Sequence, residues 1–224
     1  METWIVIPAF NEEKGIQKVI NELKESGYNN IIVVDDGSKD KTFEKSQETG
    51  VIVLKHLINR GQGAALKTGI ECALENNTEV IITFDSDGQH QVEDIGNLIL
   101  PIKERDMEVV LGSRFLNKKS NVPFIRKLFL KCGAGIFRIM YNVKLTDSHN
   151  GLRALSRKAA ETINISQDKM EHASEIIEEI GKHKLRYCEV PVTIKYSEET
   201  LRKGQKTSNA FYIFFKMVIN KFSR

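Results

Sequence analysis

Short apolar runs of strand type, each ending in small and polar residues, alternate with helix-period segments through the first half of the chain, and few folds accept that order. Residues 4–9 (WIVIPA) predict a first strand, and residues 12–25 predict an amphipathic helix with Ile16, Val19, Ile20 and Leu23 on one face. Further strands are predicted over residues 30–34, 51–55, 79–84 and 109–112. Helices are predicted from the NRGQGAA stretch through about residue 75 and over residues 92–103. Strand, turn and helix repeated in this way specify an α/β fold with a parallel sheet. In such sheets ligands bind outside the carboxyl ends of the strands, where every polar cluster of this half falls. The second half is less regular. A basic, apolar-rich helix is predicted over residues 125–141, a loop and short strand at LTDSHNGLRALS, and a helix at ASEIIEEIGKH. LRYCEVPVTIKY reads as a long strand or a strand pair, and SNAFYIFFKMVINKF as a helix.

Composition excludes several classes. With 41% hydrophobic and 28% charged residues, the 224-residue chain has the makeup of a soluble-type domain with a substantial core. No apolar run reaches the roughly 18–20 residues that cross a bilayer. METWIVIPAF lacks a basic leader and reads as a strand rather than a signal peptide. Cys72, Cys132 and Cys188 are too dispersed for a zinc site or a disulfide framework. The net charge of +3 conceals a polarity: residues 109–146 hold eight basic residues and no acidic one, and residues 201–224 hold six more, again without an acid. These segments contain 14 of the 33 Lys+Arg, leaving 19 against 30 acidic residues elsewhere. Such a chain meets an anionic surface or substrate on one side.

FDSDGQH sets two carboxylates one residue apart at a strand's end, where they repel unless a cation holds them. Asp87 and Gln89 can offer oxygen ligands to Mg²⁺ or Mn²⁺, which would serve a diphosphate; an exposed turn is the plainer alternative. In VVDDGSKDKT, Asp36 can accept hydrogen bonds from a nucleobase, Gly37 permits close backbone approach, and Asp40 or Ser38 can cap the next helix. NRGQGAALKTG is glycine-rich like a phosphate cradle but lacks the G-K-[ST] of a P-loop, and tight helix–sheet packing at Gly61, Gly63 and Ala64 explains it equally well. In PAFNEE, Asn11 is expected to cap the first helix, and Glu12 can reach a ribose or base.

IPAFNEE, VVDDGSKDKT, NRGQGAA, FDSDGQH, GSRF and DSHNGLRALS occur in the order and rough spacing of family 2 glycosyltransferases of the GT-A fold. Over about residues 3–205 the chain resembles the polyprenyl-phosphate sugar synthases of the dolichyl-phosphate mannose synthase type. The resemblance implies a Rossmann-like, mostly parallel sheet flanked by helices, spanning residues 1–205. It is followed by a peripheral, basic, aromatic amphipathic helix at residues 206–224 that contacts a membrane interface or docks on the domain itself. It implies that Pro8, Ala9, Glu12 and Asp36 line the nucleotide's base and ribose, that Asp85 lies near the ribose and sugar, and that Asp87 and Gln89 hold the metal. Arg114 then faces the acceptor phosphate or donor diphosphate, with Arg126 as its partner. Asp147 and Arg153 stand at the reaction cleft, and Arg202 and Lys206 approach phosphates at the membrane.

The implied chemistry is inverting transfer from a UDP- or GDP-linked sugar to a polyprenyl phosphate at the cytoplasmic membrane face, by a peripherally associated protein that acts alone or with a small integral-membrane partner. No nucleic-acid partner is expected. An ionised acceptor needs no strong base; positioning two anions and neutralising the leaving diphosphate are the demands. A saccharide acceptor would need a base, for which Asp147, Glu171 and Glu175 are the candidates. An inactive scaffold that binds a membrane partner is the remaining alternative.

Overall fold

The computed structural model describes residues 1–116, 135, 138–148 and 150–195. Arg126, Arg202, Lys206, the helix expected at residues 206–224 and most of that expected at 125–141 lie outside the described residues.

Among the described residues, seven strands form one sheet: β1 Thr3–Ala9, β2 Ile31–Asp35, β3 Ile52–Lys55, β4 Val80–Thr83, β5 Val109–Ser113, β6 Arg153–Ser156 and β7 Tyr187–Pro191. The helices are α1 Ile16–Glu25, α2 Thr42–Gln47, α3 Gln62–Glu75, α4 Ile95–Arg105, α5 Arg157–Thr162 and α6 His172–Lys182. Spatial order is β3-β2-β1-β4-β6-β5-β7. Successive side chains of a strand point to opposite faces, so a sheet covered on both sides needs strands that are apolar throughout. In β1, Trp4 and Val6 join one core with Ala65, Leu66 and Ile70 of α3 and Ile176, Ile177 and Ile180 of α6. Ile5 and Ile7 join the other core, with Ile16, Ile20 and Leu23 of α1 and Ile95 and Leu98 of α4. The expected α1 face of Ile16, Val19, Ile20 and Leu23 is the buried one.

Three local expectations are corrected. α1 starts at Ile16 rather than residue 12, and Asn11 does not cap it: at φ 55°, its Oδ1 accepts from Lys39 N (2.9 Å) in the loop after β2. The segment after β4 opens with a 3₁₀ turn, Val92–Asp94, before α4. Helix–sheet packing in the glycine stretch falls to Gly69, where a Cβ would collide with Val6 Cγ1 and reach Val34 Cγ2 at 3.2 Å. Gly61 and Gly63 instead abut the 167–172 segment. Asp40 does serve the start of α2, accepting from Thr42 N at 3.0 Å.

All strand pairs are parallel except those of β6, which runs antiparallel between β4 and β5. This reversal positions the site. Arg153, the first residue of β6, pairs with Thr83 at the end of β4 and with Leu111 near the end of β5.

Candidate active site

The strands' polar ends surround one cleft of about 460 Å³. β1 supplies Pro8, Ala9 and, just beyond, Glu12; the turns after β2 and β4 supply Asp36, Asp85, Asp87 and Gln89. Arg114 follows β5 and Arg153 opens β6. Nine of the residues singled out by sequence thus share one space. Asp147 does not line it. Its fully buried carboxylate lies behind Arg114, accepting from Arg114 Nε at 2.6 Å and Arg114 N at 3.2 Å.

Each carboxylate has a distinct environment. Asp36 accepts from the backbone N–H groups of Arg60 (3.0 Å) and Gly61 (2.6 Å), and His56 Nδ1 lies 2.7 Å from its Oδ1. Those bonds pin the loop after β3 to the end of β2. Gly37 makes this possible: its φ is +71°, and a Cβ there would stand 2.6 Å from Ile58 C. Asp85 is held from both sides, accepting from Gln62 Nε2 (2.9 Å) at Oδ1 with His90 Nε2 2.8 Å from Oδ2. Burial opposes its ionisation, but the charges of His90, His172 and Arg153 and the His90 hydrogen bond prevail and keep its carboxyl below the usual carboxylate range. Asp87 goes the other way: desolvation raises it, and Asp85 and Glu12 raise it further. The Gln89 N–H, 3.0 Å from Oδ1, and the charge of His90 offset this only in part.

That imbalance and the donor types fit a hard divalent cation. Asp87 and Gln89 are oxygen donors on the cleft wall, and Mg²⁺ or Mn²⁺ completes its shell with water and phosphate oxygens. Among the described residues no three His, Cys, Asp or Glu side chains gather as a protein-only cage.

The cationic side is buried. Arg153 donates from Nε to Asn150 O at 3.0 Å, and burial lowers its guanidinium to about 10 against the pull of Asp85 and Asp147, leaving it charged at neutral pH. Asn150, also in the wall, accepts from Leu152 N with Oδ1 (3.0 Å), while its buried Nδ2 has no partner among the described residues. Gly151 stands against Asp85; a Cβ there would lie 2.8 Å from Oδ1 and closer still to Oδ2. Glu175, a candidate base, is outside the cleft lining; it accepts from Ser166 N (3.0 Å), Gln167 N (2.9 Å) and the Ser166 hydroxyl. Glu171 is outside the lining too. Sequence reasoning missed Gln62 and Asn150 and gave His90 no role. The only signal available was proximity to a motif, which does not say which way a side chain points.

The family model Glycosyl transferase family 2 matches residues 4–163. UDP-N-acetylglucosamine--dolichyl-phosphate N-acetylglucosaminyltransferase of Methanococcus voltae is 35% identical over 242 residues, covering 99% of this chain and 96% of the relative. Dolichol-phosphate mannosyltransferase of Pyrococcus furiosus is 30% identical over 218 residues, covering 92% of this chain and 60% of the relative. Among solved structures, glucosyl-3-phosphoglycerate synthase from Mycobacterium tuberculosis, in complex with Mn²⁺ and UDP-glucose, superposes with a TM-score of 0.74 at 17% identity, covering 99% of this chain and 78% of that one. At that identity the likeness is one of fold.

Proposed function

The chain belongs to glycosyl transferase family 2 and is a glycosyltransferase of the GT-A fold; on that premise we propose that it transfers a sugar, with inversion, from a nucleotide-sugar donor to the phosphate of a polyprenyl lipid. The observation that carries this reading is the pair of buried guanidinium groups, Arg114 and Arg153, in the same cleft as Asp87 and Gln89. A phosphate monoester is largely ionised near pH 7 and attacks without a base. The burden then falls on holding two anions together, which guanidinium groups do through paired hydrogen bonds. Asp87 and Gln89 would hold Mg²⁺ or Mn²⁺, which when bound supplies positive charge to the departing diphosphate.

The other roles follow. Pro8, Ala9, Glu12 and Asp36 would border the base and ribose, Asp85 the ribose and sugar, and Asp147 would brace Arg114. Support comes from the relatives, since the Methanococcus voltae and Pyrococcus furiosus proteins are both named for transfer to dolichol phosphate. A sugar hydroxyl would need a general base. Glu175 is engaged with the 166–167 backbone, which favours a phosphate acceptor. Arg126, Arg202, Lys206 and the basic C-terminal stretch would meet acceptor phosphate and the inner membrane face, with or without a membrane partner. No described helix is long and apolar enough to span a bilayer.

The test is incubation of the full chain with Mn²⁺, polyprenyl phosphate and labelled UDP- and GDP-sugars, beginning with UDP-N-acetylglucosamine. Label is expected in the organic phase with one donor and is expected to vanish in Asp87→Ala. Nucleotide release without lipid label, restored by a saccharide acceptor, would overturn the reading.

A further inference from the structure

Glu189 on the edge strand β7 takes no part in the cleft, yet its carboxylate is among the most heavily bonded groups near it. Oε1 accepts from Thr146 N (2.9 Å), Thr146 Oγ1 (3.0 Å) and Asp147 N (3.1 Å), while Oε2 accepts from Thr146 N at 2.8 Å. Two residues earlier, on the same face of β7, the Tyr187 hydroxyl accepts from Lys144 N at 2.6 Å. Ser113 and Thr146 hydroxyls meet at 2.6 Å, tying the same segment to the end of β5. β7 lies parallel to β5 with Glu189 beside Leu111, three residues before Arg114. A strand edge therefore grips residues 144–147 at several points, and the last of these residues is Asp147, the partner of Arg114.

We propose that Glu189 is a positioning residue for Arg114: by fixing the backbone of Thr146 and Asp147, it sets the Asp147 carboxylate that holds the guanidinium at the cleft wall. The inference rests on the reading of Arg114 as the group that faces the acceptor phosphate. A side chain that merely stabilised the edge of the sheet would not need three different donors from the two residues leading to a buried ion pair. Burial raises the Glu189 carboxyl and the Asp147 charge raises it further, while the Thr146 and Asp147 hydrogen bonds oppose them. An acidic group kept where its charge is disfavoured is consistent with a demand made by its neighbours rather than by the strand.

Isothermal titration with two probes tests this: farnesyl phosphate as the acceptor-like anion, and UDP or GDP with Mn²⁺ as the donor-like one. In Glu189→Ala, affinity for farnesyl phosphate is expected to fall about tenfold, as for loss of hydrogen bonds supporting a charged group. Affinity for the nucleotide should stay within twofold. Glu189→Gln, which keeps one acceptor oxygen, should recover most of the loss. Arg114→Ala should weaken farnesyl phosphate by itself, and adding Glu189→Ala to it should cost little more, because both act through one group. Equal loss of both ligands in Glu189→Ala, or unchanged farnesyl phosphate binding, would overturn the positioning role. If Arg114→Ala leaves farnesyl phosphate binding intact, the reading of Arg114 fails first, and the two failures are thereby distinguished.

Discussion

Replacing Gly151 with Ala adds one methyl group where the cleft has no room for it. The new Cβ would sit 2.8 Å from Asp85 Oδ1 and 2.9 Å from Asp85 Cγ, tighter still at Oδ2, whereas ordinary contact begins near 3.4 Å. Gly151 is not in the left-handed region, so the backbone itself tolerates alanine and the conflict is steric. Asp85 cannot simply turn away, because Gln62 holds one oxygen and His90 the other. Its carboxylate must retreat by about 1 Å and loosen one of those bonds, and a misplacement of about 1 Å in an active site can cost about 10²-fold in rate. Overpacking should lower stability by about 1–3 kcal/mol, which leaves the folded population dominant. The assay is kcat/KM for transfer alongside a urea unfolding curve, in the parent and in an Asp85→Ala background. The expected result is a loss of about 10²-fold in the parent and little further loss once the carboxylate is gone. A variant that retains kcat/KM within threefold, or whose defect simply adds to that of Asp85→Ala, would refute the steric argument.

Gly69→Ala should act on stability alone. Its Cβ would press on Val6 Cγ1 and Val34 Cγ2 between α3 and the sheet, for a loss of about 1–3 kcal/mol in a denaturant midpoint with kcat unchanged per folded molecule. Glu108 gives a pH signature: Lys158 Nζ at 2.6 Å and Arg186 N at 2.8 Å hold its carboxyl below the ordinary range. A carboxyl lowered by folding stabilises the protein above its unfolded value of about 4.3, and that contribution fades as pH falls through the folded value. The urea midpoint of Glu108→Gln should therefore lie below wild type at pH 7 and converge with it towards pH 3. A gap that widens in acid would contradict the assignment.

Much of the site was legible before any coordinates because the chain sets carboxylates and small residues directly after apolar runs. Strand ends in a parallel sheet share an edge, so Pro8, Asp36, Asp85 and Arg114 had to converge once the strands were recognised. The face of α1 was equally legible, since a period of 3.6 residues fixes which side is apolar. Asn11 shows the limit. An asparagine before a helical pattern is a reasonable cap, yet a loop 28 residues away offered Lys39 N as the better donor. Asp147 shows it again, since a motif places a residue near a cleft without saying whether it lines the cleft or braces an arginine that does.

Local periodicity and residue type carried the strands of the first half, the long helices between them and the donor chemistry at the sheet's edge, but not the short helix α5 or the 3₁₀ turn before α4. The tertiary structure alone decided that β6 inserts antiparallel between β4 and β5 and so brings Arg153 to that edge. It also decided that Gln62 and His90 hold Asp85, and that Glu189 grips the loop bearing Asp147. The Glu189 contacts alone join residues 42 and 43 positions apart. Long-range pairing is selected by the packing of the whole core, and no window of the chain contains the energy that chooses it.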